Sequence, residues 1–138
     1  CRIYLIEHGT VAAGLAAAID NSGIDMMVGI GGAPEGVITA AGVKCLGGDF
    51  QGILKPHEKS FEEQGRTMGI KDFNKVLAME DIAKGGELQF VATGVSSGPF
   101  LDGVLFGRNT ATTHSIVMRK KSGTIRFIKT IHKHDKER

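Results

Sequence analysis

Apolar residues recur at every fourth position through Val11, Leu15 and Ile19, which is the spacing of one helical face. Residues 11–20 are therefore predicted to be an amphipathic helix. Thr10 stands in front of it as the expected N-cap, because a hydroxyl there can accept an orphan backbone N–H. Asn21-Ser22-Gly23 closes the helix. Two short apolar runs flank it, Arg2 to Ile6 and Ile24 to Val28, and both read as strands. A second helical pattern opens at Pro34, turns Val37, Ala41 and Cys45 inward and stops at Gly47-Gly48. A β-α-β-α series of this kind is the signature of a parallel or mixed sheet covered by helices.

The middle of the chain is more polar. Glu58 to Met68 sets Phe61 and Met68 among Glu62, Glu63, Gln64 and Arg66, so it is predicted to be a surface helix. Val76 to Met79 reads as a short strand and Glu80 to Lys84 as a helical turn. Glu87 to Val95 is a strong strand pattern, followed by a turn at Ser96-Ser97-Gly98-Pro99. Three more strands are predicted at Leu101 to Phe106, Thr112 to Arg119 and Thr124 to His132, with Lys120-Lys121-Ser122-Gly123 as a hairpin loop. The charged tail from Lys133 to Arg138 is expected to fray. With no internal repeat, low-complexity stretch or linker, residues 1–138 read as a single α/β domain.

Composition narrows the function classes. Hydrophobic residues make up 41% and charged residues 23%, as in an ordinary globular protein. A formal charge of +2 with one Tyr and no Trp gives no basic-aromatic surface for nucleic acid. No apolar stretch approaches a bilayer-spanning length, and no signal-peptide pattern opens the chain, so neither membrane nor nucleic acid is an expected partner and the expected location is cytoplasmic. The chain starts at Cys1 and not at Met, so the true N-terminus is expected to lie upstream. Cys1 and Cys45 make no disulfide framework, and Cys45 reads as a small core residue.

The chemistry concentrates in Gly29-Ile30-Gly31-Gly32-Ala33-Pro34-Glu35-Gly36. Glycines between a strand and a helix let a ligand approach converging backbone N–H groups. Pro34 suits a first helical turn, and Glu35 puts a carboxylate at its mouth. An acid beside a phosphate-sized hole points to a divalent cation between them. The dinucleotide fingerprint is excluded, since Pro34 occupies its third glycine, and the triphosphate-binding loop is excluded, since Val37-Ile38 follows Gly36 where Lys and Ser or Thr are needed. A plain strand-to-helix turn with a solvent-facing Glu35 favoured by the helix dipole stays equally open.

Other features take the plainer reading. His132-Lys133-His134 is more readily a solvated terminus than a metal site, and Arg119-Lys120-Lys121 a solubilising hairpin tip than a phosphate grip. His114 reads as a strand side chain bonded to a neighbour, and Thr110, Thr112 and Thr113 as β-branched strand formers. No grouping supports covalent catalysis.

Gly29 to Val37, Lys44-Cys45-Leu46-Gly47-Gly48, Asn74-Lys75-Val76-Leu77, Ala92-Thr93-Gly94, Ala111-Thr112-Thr113-His114-Ser115, Ser122-Gly123-Thr124-Ile125-Arg126 and Ile131-His132 follow in the order and spacing of one family. On these residues the chain resembles the class II fructose-1,6-bisphosphatases, the GlpX family, over essentially its whole length. It is similar to the C-terminal portion of that catalytic unit, without the N-terminal part that holds most metal-binding carboxylates.

The resemblance implies a layered α/β sandwich with a mixed sheet, similar to the sugar and inositol phosphatases. It implies hydrolysis of the 1-phosphate of fructose 1,6-bisphosphate with Mn²⁺ or Mg²⁺, and sedoheptulose 1,7-bisphosphate as a second substrate. Glu35 matches the family's metal-binding glutamate and Gly32 a glycine that meets the sugar phosphate. His8-Gly9-Thr10 aligns with a substrate-contacting stretch that is usually Asp-Gly-Asp, so both acids are replaced here and only Gly9 keeps its identity. With one ligand of the metal shell, the chain alone is expected to be inactive and to self-associate as a homo-oligomer through surfaces left uncovered. The alternative is a non-catalytic phosphosugar-binding or interaction module of the same fold.

Overall fold

The computed structural model describes residues 1–98 and 100–133. In chain order its elements are α1 (Thr10–Ala16), α2 (Ala33–Leu46), β1 (Gln51–Ile53), α3 (Lys59–Thr67), β2 (Val76–Ala78), α4 (Met79–Ile82), β3 (Gln89–Thr93), β4 (Leu105–Phe106), β5 (Thr110–Arg119) and β6 (Thr124–Lys133). Helix α2 lies between α1 and a sheet and organises the interior. Leu15 of α1, Ala40 and Val43 of α2, Phe90 of β3, and Ile116 and Met118 of β5 form the centre of the core. Gly42 allows this approach, because a Cβ there would overlap the Leu15 side chain and stand 3.0 Å from the Phe90 ring.

The larger sheet is built around β5. All of β6 pairs antiparallel along one edge of it, from Thr124 opposite Arg119 to Lys133 opposite Thr110. The other edge is shared: β3 takes Ser115 to Arg119 and β4 takes Ala111 and Thr112. Alternation turns Phe90, Ile116 and Met118 toward the helices, while Val91, on the opposite face, is 64% exposed. A separate antiparallel ribbon joins β1 to β2 and leads into α4.

One buried cation ties this ribbon to the core. Lys44, in the last turn of α2, is 7% exposed. Its ammonium donates to the Ala83 carbonyl at 2.7 Å and pairs with Glu80 at 2.6 Å. Lys44→Met is expected to destabilise the fold by about 1–3 kcal/mol, because the buried carbonyl loses its donor. Chemical denaturation measures this, and an unchanged midpoint would show the contact to be idle. Nearby, Asp81 accepts from the Ala78 N–H at 3.1 Å and from Lys75 at 3.0 Å, and these bonds hold its carboxyl below the usual carboxylate value. The depressed pKa contributes stability above the unfolded carboxyl's pKa of about 3.9, and that contribution disappears as pH falls through the lower folded value. Asp81→Asn should therefore flatten the acid limb of stability against pH, and an unaltered limb would contradict the assignment.

Several expectations change. The α/β class holds, but every strand pair among the described residues is antiparallel. The parallel part rested on residues 2–6 and 24–28, and neither segment is a strand. Each lacks a neighbouring strand to satisfy its backbone, and Leu5 and Val28 are 90% and 83% exposed. Of the predicted strand from Leu101 to Phe106 only its end, β4, is paired. Thr10 does not cap α1: Gly9 occupies that position with φ 83°, a left-handed conformation natural to glycine, and no side chain caps the helix. In α2 the buried face is Ala40, Val43 and Cys45, with Val37 48% exposed. Apolar side chains occupy nearly every side of this helix, so periodicity could not select its inner face. Cys45 is in the core as expected, where burial pushes its thiol pKa up.

Candidate functional site

The N-termini of α1 and α2 lie side by side. A Cβ on Gly31 would stand 3.9 Å from Thr10 Oγ1, one on Gly14 would overlap Thr39, and one on Gly48 would stand 3.0 Å from Ala18. With Leu15 against Gly42, the contacts climb together along both helices. The helices are therefore parallel, and their positive dipole ends share one end of the layer.

Each start is shaped by glycine. The Gly9 carbonyl accepts the Ala13 N–H at 3.0 Å and the Gly32 carbonyl accepts the Gly36 N–H at 3.0 Å. Helix α2 has no side-chain cap, and Pro34 stands in its first turn. The first-turn N–H groups of Ala33 and Glu35 therefore face outward without an intrahelical partner. A Cβ on Gly32 would overlap the Glu35 carboxylate, which folds back over the turn. Gly31, Gly32 and Glu35 are exposed, so this end of the layer is open to a ligand.

Of the residues singled out in the sequence, Gly32 and Glu35 thus sit together on α2, and Thr10 and Gly9 stand beside them on α1. His8 is exposed and precedes Gly9. Among the described residues no group of three or more His, Cys, Asp or Glu side chains is arranged to hold a metal ion. Glu35 fits a hard cation as one oxygen ligand. The described residues do not offer a six-oxygen shell.

A cleft of about 270 Å³ opens next to Gly9, between Val11 and Leu15 on one side and Thr93, Gly94 and Leu101 on the other. Sequence reading assigned no role to this second wall. The only signal was the Ala92-Thr93-Gly94 motif, and its proximity to Gly9 depends on tertiary packing.

The remaining candidates are otherwise engaged. Asp102 N–H donates to His114 Nδ1 at 3.1 Å, as the strand-neighbour reading of His114 expects. Glu87 pairs with Lys121 and stands 4.0 Å from Arg119, so it occupies the basic hairpin tip. His132 Nε2 is 3.1 Å from Thr113 Oγ1, and His134 lies outside the described residues.

Unpartnered N–H groups at the start of a helix are a place where an anion can bind. The sequence profile of the bacterial fructose-1,6-bisphosphatases encoded by glpX matches residues 1–132, and the chain belongs to that family. It is 37% identical to a D-fructose 1,6-bisphosphatase class 2/sedoheptulose 1,7-bisphosphatase of Gloeobacter violaceus, over 95% of this chain and 41% of the relative. Proteins of the same name from two Synechococcus strains are 39% and 40% identical, each over 97% of this chain and 42% of the relative. The chain thus spans about two fifths of the length of the curated relatives it matches. No helix among the described residues is long and apolar enough to cross a membrane.

Proposed function

We propose that this chain supplies part of the active site of a metal-dependent sugar bisphosphatase that hydrolyses the 1-phosphate of fructose 1,6-bisphosphate. Sedoheptulose 1,7-bisphosphate, which the relatives' names include, is a second substrate in this reading. The observation that carries it is the meeting of Thr10 and Gly31 beside the Glu35 carboxylate. The outward N–H groups at the start of α2 would receive phosphate oxygens, while the space beside Gly32 is filled by the Glu35 carboxylate itself. A carboxylate and a phosphate at one helix end repel, so the pair favours a cation between them. Glu35 would provide one ligand to Mn²⁺ or Mg²⁺, and residues outside this chain the others. When bound, such ions activate water and neutralise charge on the leaving oxygen.

His8 and Thr10 would meet the sugar. They replace two acceptor-only carboxylates by an imidazole and a hydroxyl, which weakens the holding of sugar hydroxyls. An unpaired hydroxyl contact costs about 1–3 kcal/mol. The test is a fusion of this chain behind the N-terminal part of the Gloeobacter relative. His8→Asp with Thr10→Asp should lower its KM for fructose 1,6-bisphosphate by about tenfold or more while its Mn²⁺ requirement stays the same. Unchanged kinetics would mean that only the backbone at these positions matters.

A further inference from the structure

The cleft beside Gly9 has one firm wall and one that hangs from His114. On the firm side Val11 and Leu15 belong to α1, and Leu15 is part of the core. The other side is made by Gly94, Ser96, Gly98 and Leu101, in the chain between the end of β3 and the start of β4. Separate hydrogen bonds hold that stretch. Val104 N–H donates to the Val95 carbonyl at 3.1 Å, Gly98 N–H to the Leu101 carbonyl at 3.0 Å and Gly103 N–H to Ser97 Oγ at 3.0 Å. These three join the stretch to itself. Among the described residues two more reach β5, and both end on His114. Gly94 N–H meets its carbonyl at 3.0 Å, and Asp102 N–H meets its Nδ1 at 3.1 Å.

The first of these bonds needs only a backbone, which any residue supplies. The second needs an acceptor at Nδ1, so the side chain decides it. Asp102 is placed to pass that constraint to the wall. A Cβ on Gly94 would overlap the Asp102 carbonyl and stand 3.2 Å from Leu101 Cβ, so this part of the wall rests directly on the end of β3. Leu101 is buried in the core and sets the depth of the wall, but apolar packing has no direction. The bond to His114 sets where the wall stands along the sheet. His114 is itself braced by Phe127, with ring centroids 5.8 Å apart, and Phe127 also meets Phe100 edge-on at 6.4 Å.

We propose that this cleft takes the sugar carbons of the ligand whose phosphate lies at the start of α2, and that His114 is the positioning residue of its outer wall. This rests on the functional reading above. The cleft opens at Gly9, Thr10 follows, and Thr10 stands beside Gly31. A ligand held by its phosphate at Gly31 therefore reaches the cleft directly. The volume of about 270 Å³ is near the lower limit of small-ligand pockets, which leaves room for one sugar-sized group. Apolar side chains there suit the carbon-bound hydrogens of a sugar.

Kinetics of the fusion with the N-terminal part of the Gloeobacter relative test the role of His114. His114→Leu removes the acceptor and should raise KM for fructose 1,6-bisphosphate by about tenfold with little change in kcat. His114→Asn puts an amide oxygen near the place of Nδ1 and should bring KM back close to that of the parent. A loss of stability alone would lower the amount of active enzyme, and hence apparent kcat, and leave KM as it was. NMR of the 138-residue chain, titrated with fructose 1,6-bisphosphate, tests the cleft without turnover. The amide signals of Gly94 and Gly98 should move with those of Gly9 and Gly31, and their movement should be lost in His114→Leu and kept in His114→Asn. An unchanged KM in His114→Leu, or a His114→Asn fusion as impaired as His114→Leu, overturns the proposal. Signals of Gly31 and Glu35 that move while Gly94 and Gly98 stay still overturn it too, and leave the functional reading standing. A titration in which none of them moves contradicts both.

Discussion

Glu35→Gln should cost the fusion with the Gloeobacter N-terminal part about two orders of magnitude or more in Mn²⁺-dependent phosphate release. Outer partners of metal ligands are alone worth about 10–100-fold, and Glu35 is proposed as a ligand itself. The substitution keeps the side chain's size and its capacity to hydrogen-bond, and removes the charge a hard cation requires. Little of the fold depends on that charge. Glu35 is exposed, and its favourable position in the first turn of α2 is worth about 0.3–1 kcal/mol at a surface site. Thermal unfolding should thus hardly move while turnover collapses. A variant that turns over at near-normal rate would remove Glu35 from the metal shell.

How much of this was legible in the sequence depended on whether the cause was local. Strands β3 and β5 follow the apolar pattern because each turns one face to the core, whereas the apolar residues that marked α3 and β6, among them Met68, Phe127 and Ile131, stay largely exposed. Residues 2–6 and 24–28 have the same strand-like composition. A strand is completed by its partner, however, and composition cannot supply one. The inner face of α2 was hidden for the opposite reason: α1 and the sheet both cover it, so apolar residues on several sides are all in use.

The candidate site divides in the same way. Gly32, Pro34 and Glu35 lie within one turn of chain, so their geometry was readable from their order. The meeting of Thr10 with Gly31 needs α1 and α2 to run parallel. Gly14, Gly42 and Gly48 permit that contact by leaving room for Thr39, Leu15 and Ala18, and no local motif announces it. Gly9 is left-handed, a backbone conformation costly for a side chain, and the short His8-Gly9-Thr10 stretch did not announce that requirement.

The second large effect concerns the 138 residues by themselves. A divalent ion of this type takes about six oxygen ligands, and the described residues gather no group of three acidic, His or Cys side chains. Water can fill the remainder of the shell, but it cannot fix the ion. An unfixed ion does not hold water and phosphorus in line, and that positioning supplies much of the rate enhancement. The chain alone should therefore bind sugar phosphate weakly and release no phosphate at any Mn²⁺ concentration. Fusion behind the N-terminal part of the Gloeobacter relative should bring turnover back.

The most direct measurement is phosphate release from fructose 1,6-bisphosphate, with Mn²⁺, by the 138-residue chain and by its fusion to the N-terminal part of the Gloeobacter relative. A silent chain beside an active fusion is the predicted result. Mn²⁺-dependent turnover by the chain alone, or a folded fusion that stays silent, would contradict the account.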